Sequence, residues 1–262
     1  MLPLDRLGSE EARAIDTFAF DLDDTLLDHG RLGLEAYGAL FELRRSGLDL
    51  VAITGRPSGF AEVIARQWPV TAAVAENGAV AWMRDAGGRV QVIDAMSTEL
   101  RAQRRAELLA IANRVLERFT ELAFADDNWA RRTDVALDIG EHRKVDPTIV
   151  DEARAFAESL GARTFASSVH THLTFELGDK ATGFDAAVRA LGRDPQGAFA
   201  RAAFAGDSGN DAAAFAAFGL TFGVSNIEAH VAKLPKLPRY VASLPMGKGF
   251  AEIAARIVAL RS

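Results

Sequence analysis

Apolar residues in the first third of the chain fall in short unbroken runs, each followed by a helical pattern. Ala14 to Phe20 reads as a buried strand and Gly33 to Arg45 as a helix closed by Gly47. Leu48 to Ile53 reads as a second strand, opening at Thr54-Gly55-Arg56-Pro57 into a helix through Gln67. Strands of this kind, alternating with helices, predict βαβ units and a parallel sheet buried on both faces. Val70 to Val74 predicts a further strand. Glu76-Asn77-Gly78-Ala79 then introduces a hairpin with Asp85-Ala86-Gly87-Gly88 as its turn.

The pattern changes from Asp85 onward. A long helix is expected from Ser97 to about Glu121, followed by an alternating segment, Arg132 to Ile139. Asp146-Pro147 reads as an N-cap with proline at the first helical position, and Gly161 closes that helix. A second alternating segment places Val169, Thr171, Leu173, Phe175 and Leu177 on one face, and His170, His172, Thr174 and Glu176 on the other. One-sided strands predict an antiparallel layer with helices on one face. The βα rhythm resumes after Gly178: helix Lys180 to Leu191, strand Ala202 to Ala205, helix Asp211 to Phe218, strand Leu220 to Val224, helix Gly249 to Leu260. The expected organisation is an α/β core made of residues 1–84 and 178–262, with an inserted α+β domain at 85–177.

Composition narrows the function. A chain of 262 residues, 49% of them hydrophobic, can bury one large core or two smaller ones. A net charge of -6 argues against a general nucleic-acid binder, which needs a basic face to neutralise phosphates. With no cysteine there is neither a disulfide framework nor a thiolate metal site, which fits a reducing compartment. The first 14 residues carry several charges and no continuous apolar stretch, and no segment approaches the ~20 apolar residues of a membrane span. A cytoplasmic protein with no membrane partner is the expectation, monomeric or homodimeric.

Candidate chemistry sits where parallel strands should end, the usual ligand position in open α/β sheets. The run Phe18 to Leu27 ends its strand in Asp21, with a second carboxylate, Asp23, two positions on. Two acids there can serve one metal ion while doing separate jobs, although Asp23 and Asp24 also suit a turn or a helix cap. Thr54-Gly55-Arg56 offers a hydroxyl and a permissive glycine at a helix start, suited to a phosphate oxyanion or to a routine turn. Lys180 opens a helix, where its charge opposes the dipole, unless it is simply solvated. Gly206-Asp207-Ser208-Gly209-Asn210-Asp211 follows a strand and resembles a set of cation ligands, without the spacing of an EF-hand. On the inserted domain, Arg132, Asp134, Asp138, His170, His172 and Glu176 form either a recognition face or a solvated one, and Arg101, Arg104 and Arg105 an exposed charged face. His170 and His172 lack a third ligand for zinc. Gly247-Lys248-Gly249 lacks the full phosphate-loop pattern.

Taken in order, these elements resemble the haloacid dehalogenase-like (HAD) phosphohydrolase superfamily. Asp21-Leu22-Asp23-Asp24-Thr25 looks like its first motif, Thr54 its second, Lys180 its third and Gly206 to Asp211 its fourth. The large insertion and Glu76-Asn77-Gly78-Ala79 are similar to subfamily IIB with a C2B-type cap, the branch of sucrose-phosphate, trehalose-phosphate and mannosyl-phosphoglycerate phosphatases and the phosphomannomutases. Asp24 departs from the glycine common in capped relatives. The resemblance implies a Rossmann-like core with an inserted cap, and a Mg²⁺-dependent phosphatase acting on a small phosphorylated sugar or related metabolite. Asp21 would be the nucleophile and Asp23 the general acid and base. Asp21, the Asp23 main-chain carbonyl, Asp207 and Asp211 would hold Mg²⁺. Thr54, Gly55, Arg56, Lys180 and Asn210 would bind the phosphoryl group. The alternative is a phosphomutase of the phosphomannomutase type, for which Arg131 and Arg132 alone make a poor second phosphate site. A phospho-acceptor signalling domain is the rival from another class, but its acids lie on different strands and it has no insertion.

Overall fold

The computed structural model describes residues 1–85, 87–167 and 169–262 of the chain. They form two compact units: Met1–Arg56, Ala61–Ile93 and Gly178–Ser262 make the first, and Pro57–Phe60 with Asp94–Leu177 the second. Among the described residues, the first unit holds a nine-stranded sheet. Its order is Leu2–Pro3, Tyr240–Val241, Leu220–Gly223, Ala202–Gly206, Thr17–Phe20, Asp49–Ile53, Ala72–Ala75, Val80–Arg84, Val90–Ile93. Pairing is parallel as far as Ala72–Ala75 and antiparallel across the last two strands.

The apolar runs are continuous because both faces of this sheet are covered. Phe18, Phe20, Leu50 and Phe222 enter one core with Leu40 and Leu43 of the helix Leu34–Arg45 and Phe250 and Ile253 of the helix Met246–Arg261. Ala19, Val51, Ile53 and Phe204 enter the other, against Phe184 and Val188 of Lys180–Ala190 and Phe215 of Ala212–Ala217. Successive residues of one strand thus serve opposite cores.

Three boundaries differ from the sequence expectation, each for a physical reason. The strand expected from Ala14 begins at Thr17, because Ser9–Ala14 is a short helix started by Glu11, whose carboxylate accepts the Gly8 N–H at 3.3 Å. The last helix begins at Met246, not Gly249. Its first N–H groups find remote acceptors, Asn226 Oδ1 for Met246 and Asp28 Oδ1 for Gly247, both at 3.0 Å. The change of pattern at Asp85 marks a reversal of strand direction, not a unit boundary. Val90–Ile93 pairs with Val80–Arg84, and Val90 and Val92 pack onto the first core, so the long stretch of the second unit starts at Asp94. The turn read at Asp85 to Gly88 shows a Gly88 N–H to Asp85 oxygen bond of 2.9 Å, while Ala86 lies outside the described residues.

Among the described residues, the second unit contains a four-stranded antiparallel sheet, ordered Arg163–Ala166, His170–Thr174, Asp134–Asp138, Ala123–Phe124. The edge strands Arg163–Ala166 and Ala123–Phe124 were not legible in the pattern. Helices Thr98–Arg118 and Pro147–Ser159 supply Leu108, Val115 and Ala157 to a core with Val135, Leu137 and Leu173. The polar face of this sheet is neither bare nor solvated. Asp134 is buried, accepts from Arg131 Nη1 at 3.0 Å and meets His172 Nδ1 at 2.9 Å, with Phe165 stacked on the imidazole at 4.5 Å. Asp138 instead accepts the N–H groups of Gly140, Glu141 and His142. His170 pairs with Glu141 at 2.8 Å, so the two histidines have carboxylate partners of their own.

Arg101 is likewise not part of an exposed face. It is buried, and its guanidinium joins Asp94 at 2.6 Å to Glu176 at 2.6 Å. Burial would raise the Asp94 pKa, but the hydrogen bonds from Arg101 and the Met96 N–H, with the Arg101 and Arg132 charges, outweigh it and hold the carboxyl below its usual range. Arg105 donates to the main-chain oxygens of Asn128, at 2.7 Å, and Asp134. Arg104 remains half-exposed.

Arg101→Met should destabilise the second unit by about 1–3 kcal/mol, because it leaves Asp94 and Glu176 only the longer contacts to Arg132 at 3.7 Å and Arg104 at 3.6 Å, and Asp94→Asn in the same chain should recover part of that loss. In the first unit, a Cβ at Gly78 would lie 1.9 Å from the Asp179 main-chain oxygen, on a backbone with φ of +109°. Gly78→Ala should therefore cost about 2–4 kcal/mol in urea unfolding.

Candidate active site

Neighbouring parallel strands of the first unit end level with one another. Phe20 is in register with both Ala205 and Ala52, so Asp21, Thr54 and Asp207 are first past three adjacent strands. The Asp21 N–H donates to the Ala205 oxygen at 2.9 Å, and the Thr54 N–H to the Val74 oxygen at 2.9 Å, which carries the sheet ladder one step further. Carboxyl ends of parallel strands are where such sheets leave room for a ligand.

Lys180 is fully buried. Its Nζ donates to Asp21 Oδ1 at 2.6 Å and to Asp211 Oδ1 at 2.5 Å. The apparent conflict between a lysine and a helix N-terminus disappears, because the long stem carries the ammonium to these two acids. The helix is capped by Asp179, which accepts the Thr182 N–H at 2.9 Å. Asp211 Oδ2 accepts the N–H groups of Asp207 at 2.9 Å and Ser208 at 3.0 Å, so Asp211 both orders its loop and meets the lysine. Gly206 makes this possible, since a Cβ there would lie 2.5 Å from Asp211 Oδ2. Asp207 Oδ1 accepts from Thr25 Oγ1 at 3.1 Å, and Asp207 Oδ2 accepts from Asn226 Nδ2 at 2.9 Å.

Asp21, Asp207 and Asp211 each present an oxygen within 4.8 Å of the others, and all three are buried. One ammonium faces three carboxylates, and the imbalance shows in their protonation. Burial, opposed by Lys180 and reinforced by Asp211, Asp207 and Asp23, pushes the Asp21 pKa well above its usual range. Burial and the Asp211 charge push Asp207 up to about 7. Lys180 is held protonated, because Asp21 and Asp211 more than offset its own burial. Converging buried oxygens short of positive charge suit a hard divalent cation such as Mg²⁺, so the donor set fits that ion.

The remaining sequence candidates are placed as follows. The Asp23 carboxylate is outside the buried cluster; it receives the Arg56 fork, from Nε at 2.9 Å and from Nη2 at 2.6 Å, and is half-exposed. Thr54 is buried and its hydroxyl accepts the Arg56 N–H at 3.0 Å. Gly55 lies against Asn77, whose side chain would be 3.1 Å from an added Cβ. Glu76, Asn77 and Gly78 all have positive φ, and the first two donate N–H groups to Arg56 and Thr54 oxygens at 3.0 Å, bracing that loop from below. Asn210 is not drawn into the cluster. It stays exposed, accepting from the Ser208 hydroxyl at 2.8 Å, because Asp211 takes the inward position on this turn. Two residues were missed as site members. Thr25 was within the quoted motif, whereas nothing local marks Asn226.

Residues 18–129 match the family model described as haloacid dehalogenase-like hydrolase. No curated protein matches the chain. Among solved structures, a Thermoplasma acidophilum protein superposes with a TM-score of 0.70 at 20% identity, covering 93% of this chain and 98% of that one. BT1666 from Bacteroides thetaiotaomicron, described among phosphatases of the HAD superfamily, gives a TM-score of 0.65 at 16% identity, with 92% and 93% covered. BT4131, described as a HAD subclass IIB sugar phosphatase, gives 0.58 at 15% identity, with 87% and 93% covered. The chain shares its mixed α/β fold, a large mostly parallel sheet with helices on both faces, with these structures at low sequence identity.

Proposed function

We propose that the protein is a Mg²⁺-dependent phosphatase that hydrolyses the phosphomonoester of a small sugar or related metabolite through an aspartyl-phosphate on Asp21. The observation that carries this is the shortage of positive charge around Asp21, Asp207 and Asp211, three buried carboxylates sharing one buried ammonium. A phosphatase of this type uses such a site twice, to hold a divalent ion and to accept a phosphoryl group whose charge that ion and Lys180 offset. When bound, Mg²⁺ would be held by Asp21, Asp207, Asp211 and the Asp23 main-chain carbonyl, and would neutralise charge so that anionic nucleophile and anionic substrate can approach.

The residues divide the work. An Asp21 carboxylate oxygen attacks phosphorus in line, and the bond from phosphorus to the leaving oxygen breaks as Asp23 delivers its proton there. Asp23 then takes a proton from water, whose oxygen attacks the same phosphorus. Inorganic phosphate leaves and the Asp21 carboxylate is restored. Arg56 aims the Asp23 carboxylate through its fork, and the exposure of Asp23 leaves it accessible to a leaving group. Thr54, with its hydroxyl one residue past a strand end, and the Lys180 ammonium would hold phosphoryl oxygens. The sugar substrate is supported by the likeness to BT4131, whose description names a sugar phosphatase.

Phosphate release from a panel of sugar phosphates with Mg²⁺ tests the proposal. Asp21→Asn should abolish turnover. Asp23→Asn should lower kcat by roughly 10²–10⁴-fold. Isomer formation without phosphate release would favour a mutase, and no activity above Asp21→Asn on any phosphomonoester would overturn the proposal.

The charge imbalance also sets a pH dependence. Asp207 carries a higher pKa folded, about 7, than the roughly 3.9 of an unfolded aspartate. The folded state therefore binds more protons, so its stability falls as pH rises from about 4 through about 7. Thermal unfolding in EDTA should show the midpoint dropping between pH 5 and 8. Mg²⁺ fixed at 100 times its Kd at pH 8 should restore about 5–10 °C at pH 8, and the same concentration should restore less at pH 5, where protons compete for the carboxylates.

A further inference from the structure

Asn226 follows the strand Leu220–Gly223, on the turn Ser225–Ala229, and its carboxamide joins three other segments of the first unit. Nδ2 donates to Asp207 Oδ2 at 2.9 Å and to the main-chain oxygen of Asp24 at 3.0 Å, while Oδ1 accepts the Met246 N–H at 3.0 Å. These are the loops beyond two adjacent parallel strands and the first residue of the closing helix.

Two features set this carboxamide apart from an ordinary turn contact. The first is what it does to Asp207. With Thr25 Oγ1 on Oδ1 and Asn226 Nδ2 on Oδ2, each carboxylate oxygen receives one hydrogen bond, which fixes the plane of the group and leaves lone pairs on both oxygens. Both donors are uncharged. A lysine or arginine in place of Asn226 would orient Asp207 but also cancel the charge that a cation needs. The second is backbone strain. Asp24 and Met246 are non-glycine residues with φ of 55° and 50°, and both are direct partners of Asn226. Left-handed residues of this kind persist where the surroundings over-determine them. The bond to the Asp24 carbonyl helps hold a conformation that glycine would adopt freely.

We infer that Asn226 is a positioning residue for the cation site: it orients the Asp207 carboxylate toward Asp21 and Asp211 and holds in place the two strained turns behind it. The inference rests on the metal-dependent phosphatase reading and adds to it a residue outside the four sequence motifs. Hydrogen-bonding partners of metal-ligating groups typically contribute 10–100-fold to metal affinity.

The test compares wild type, Asn226→Ala and the double variant Asn226→Ala with Met246→Gly. Each is titrated with Mg²⁺ alone, followed by thermal shift, and then with Mg²⁺ in p-nitrophenyl phosphate hydrolysis. Asn226→Ala should raise the half-saturating Mg²⁺ concentration by about 10-fold or more in both titrations. The KM for p-nitrophenyl phosphate at saturating Mg²⁺ should stay within about twofold, because Asn226 acts on the ion's ligand. Met246→Gly removes the strain at the helix start, so a raised Mg²⁺ requirement that survives in the double variant supports the inference. Return of the double variant to the wild-type value overturns it and reduces Asn226 to a backbone anchor. If Asn226→Ala does not fold, Asn226→Ser carries the same titration, with the same outcomes. An unmoved titration in a wild type that responds normally to Mg²⁺ overturns this inference alone, whereas no Mg²⁺ response in the wild type overturns the phosphatase reading with it.

Discussion

The contact between the Lys180 ammonium and the carboxylates of Asp21 and Asp211 is what the rest of the first unit is arranged around. All three groups are buried, and Asp207 joins them as a third acid. At an effective dielectric constant near 20, two unit charges 4 Å apart interact by about 4 kcal/mol, so neither the attraction nor the repulsion here is small. One ammonium cannot balance three carboxylates. The remainder must be met by protons, by a cation, or by both in turn.

The sheet makes this concentration of charge possible by putting the problem at its edge. Strands that are apolar on both sides place their first polar residues together where they end, so Asp21, Thr54 and Asp207 emerge side by side without disturbing either core. The loops are then held by close approaches that larger residues would block. Gly206 admits the Asp211 carboxylate, and Gly78 admits the Asp179 backbone at the start of the Lys180 helix.

The second unit buries charge too, and the comparison separates two purposes. Arg101 sits between Asp94 and Glu176, and Arg131 between Asp127 and Asp134. Here cations match acids closely enough that the Asp94 and Asp134 carboxyls end below their usual range despite burial. His172, by contrast, is driven toward its neutral form by burial, although Asp134 pulls the other way. In the first unit the same burial drives Asp21 and Asp207 upward. Matched charges leave their carboxyls ionised, while an unbalanced set with carboxyls pushed upward marks a candidate site.

Most of the architecture could be read from the chain, because an apolar run with no alternation has few homes besides a sheet covered on both faces. The helix start marked by Asp146-Pro147 was legible because capping chemistry is local. The edge strands of the second unit were not, since two to four residues carry too little pattern to declare a partner, and the second arm of the predicted hairpin, Val90–Ile93, was placed with the insertion although it belongs to the first unit. Among the site residues, Asp21, Lys180, Asp207 and Asp211 stood out as charged groups in positions that local structure alone would not favour. Arg101 looked solvated because its acids lie 7 and 75 positions away. Asn226 had no local sign at all, its partners being 19, 20 and 202 positions distant. By itself the sequence determined which strands form and which acids end them. Only the tertiary structure decided which charges are matched and which are left wanting, because that depends on distances across the fold that no run of neighbouring residues encodes.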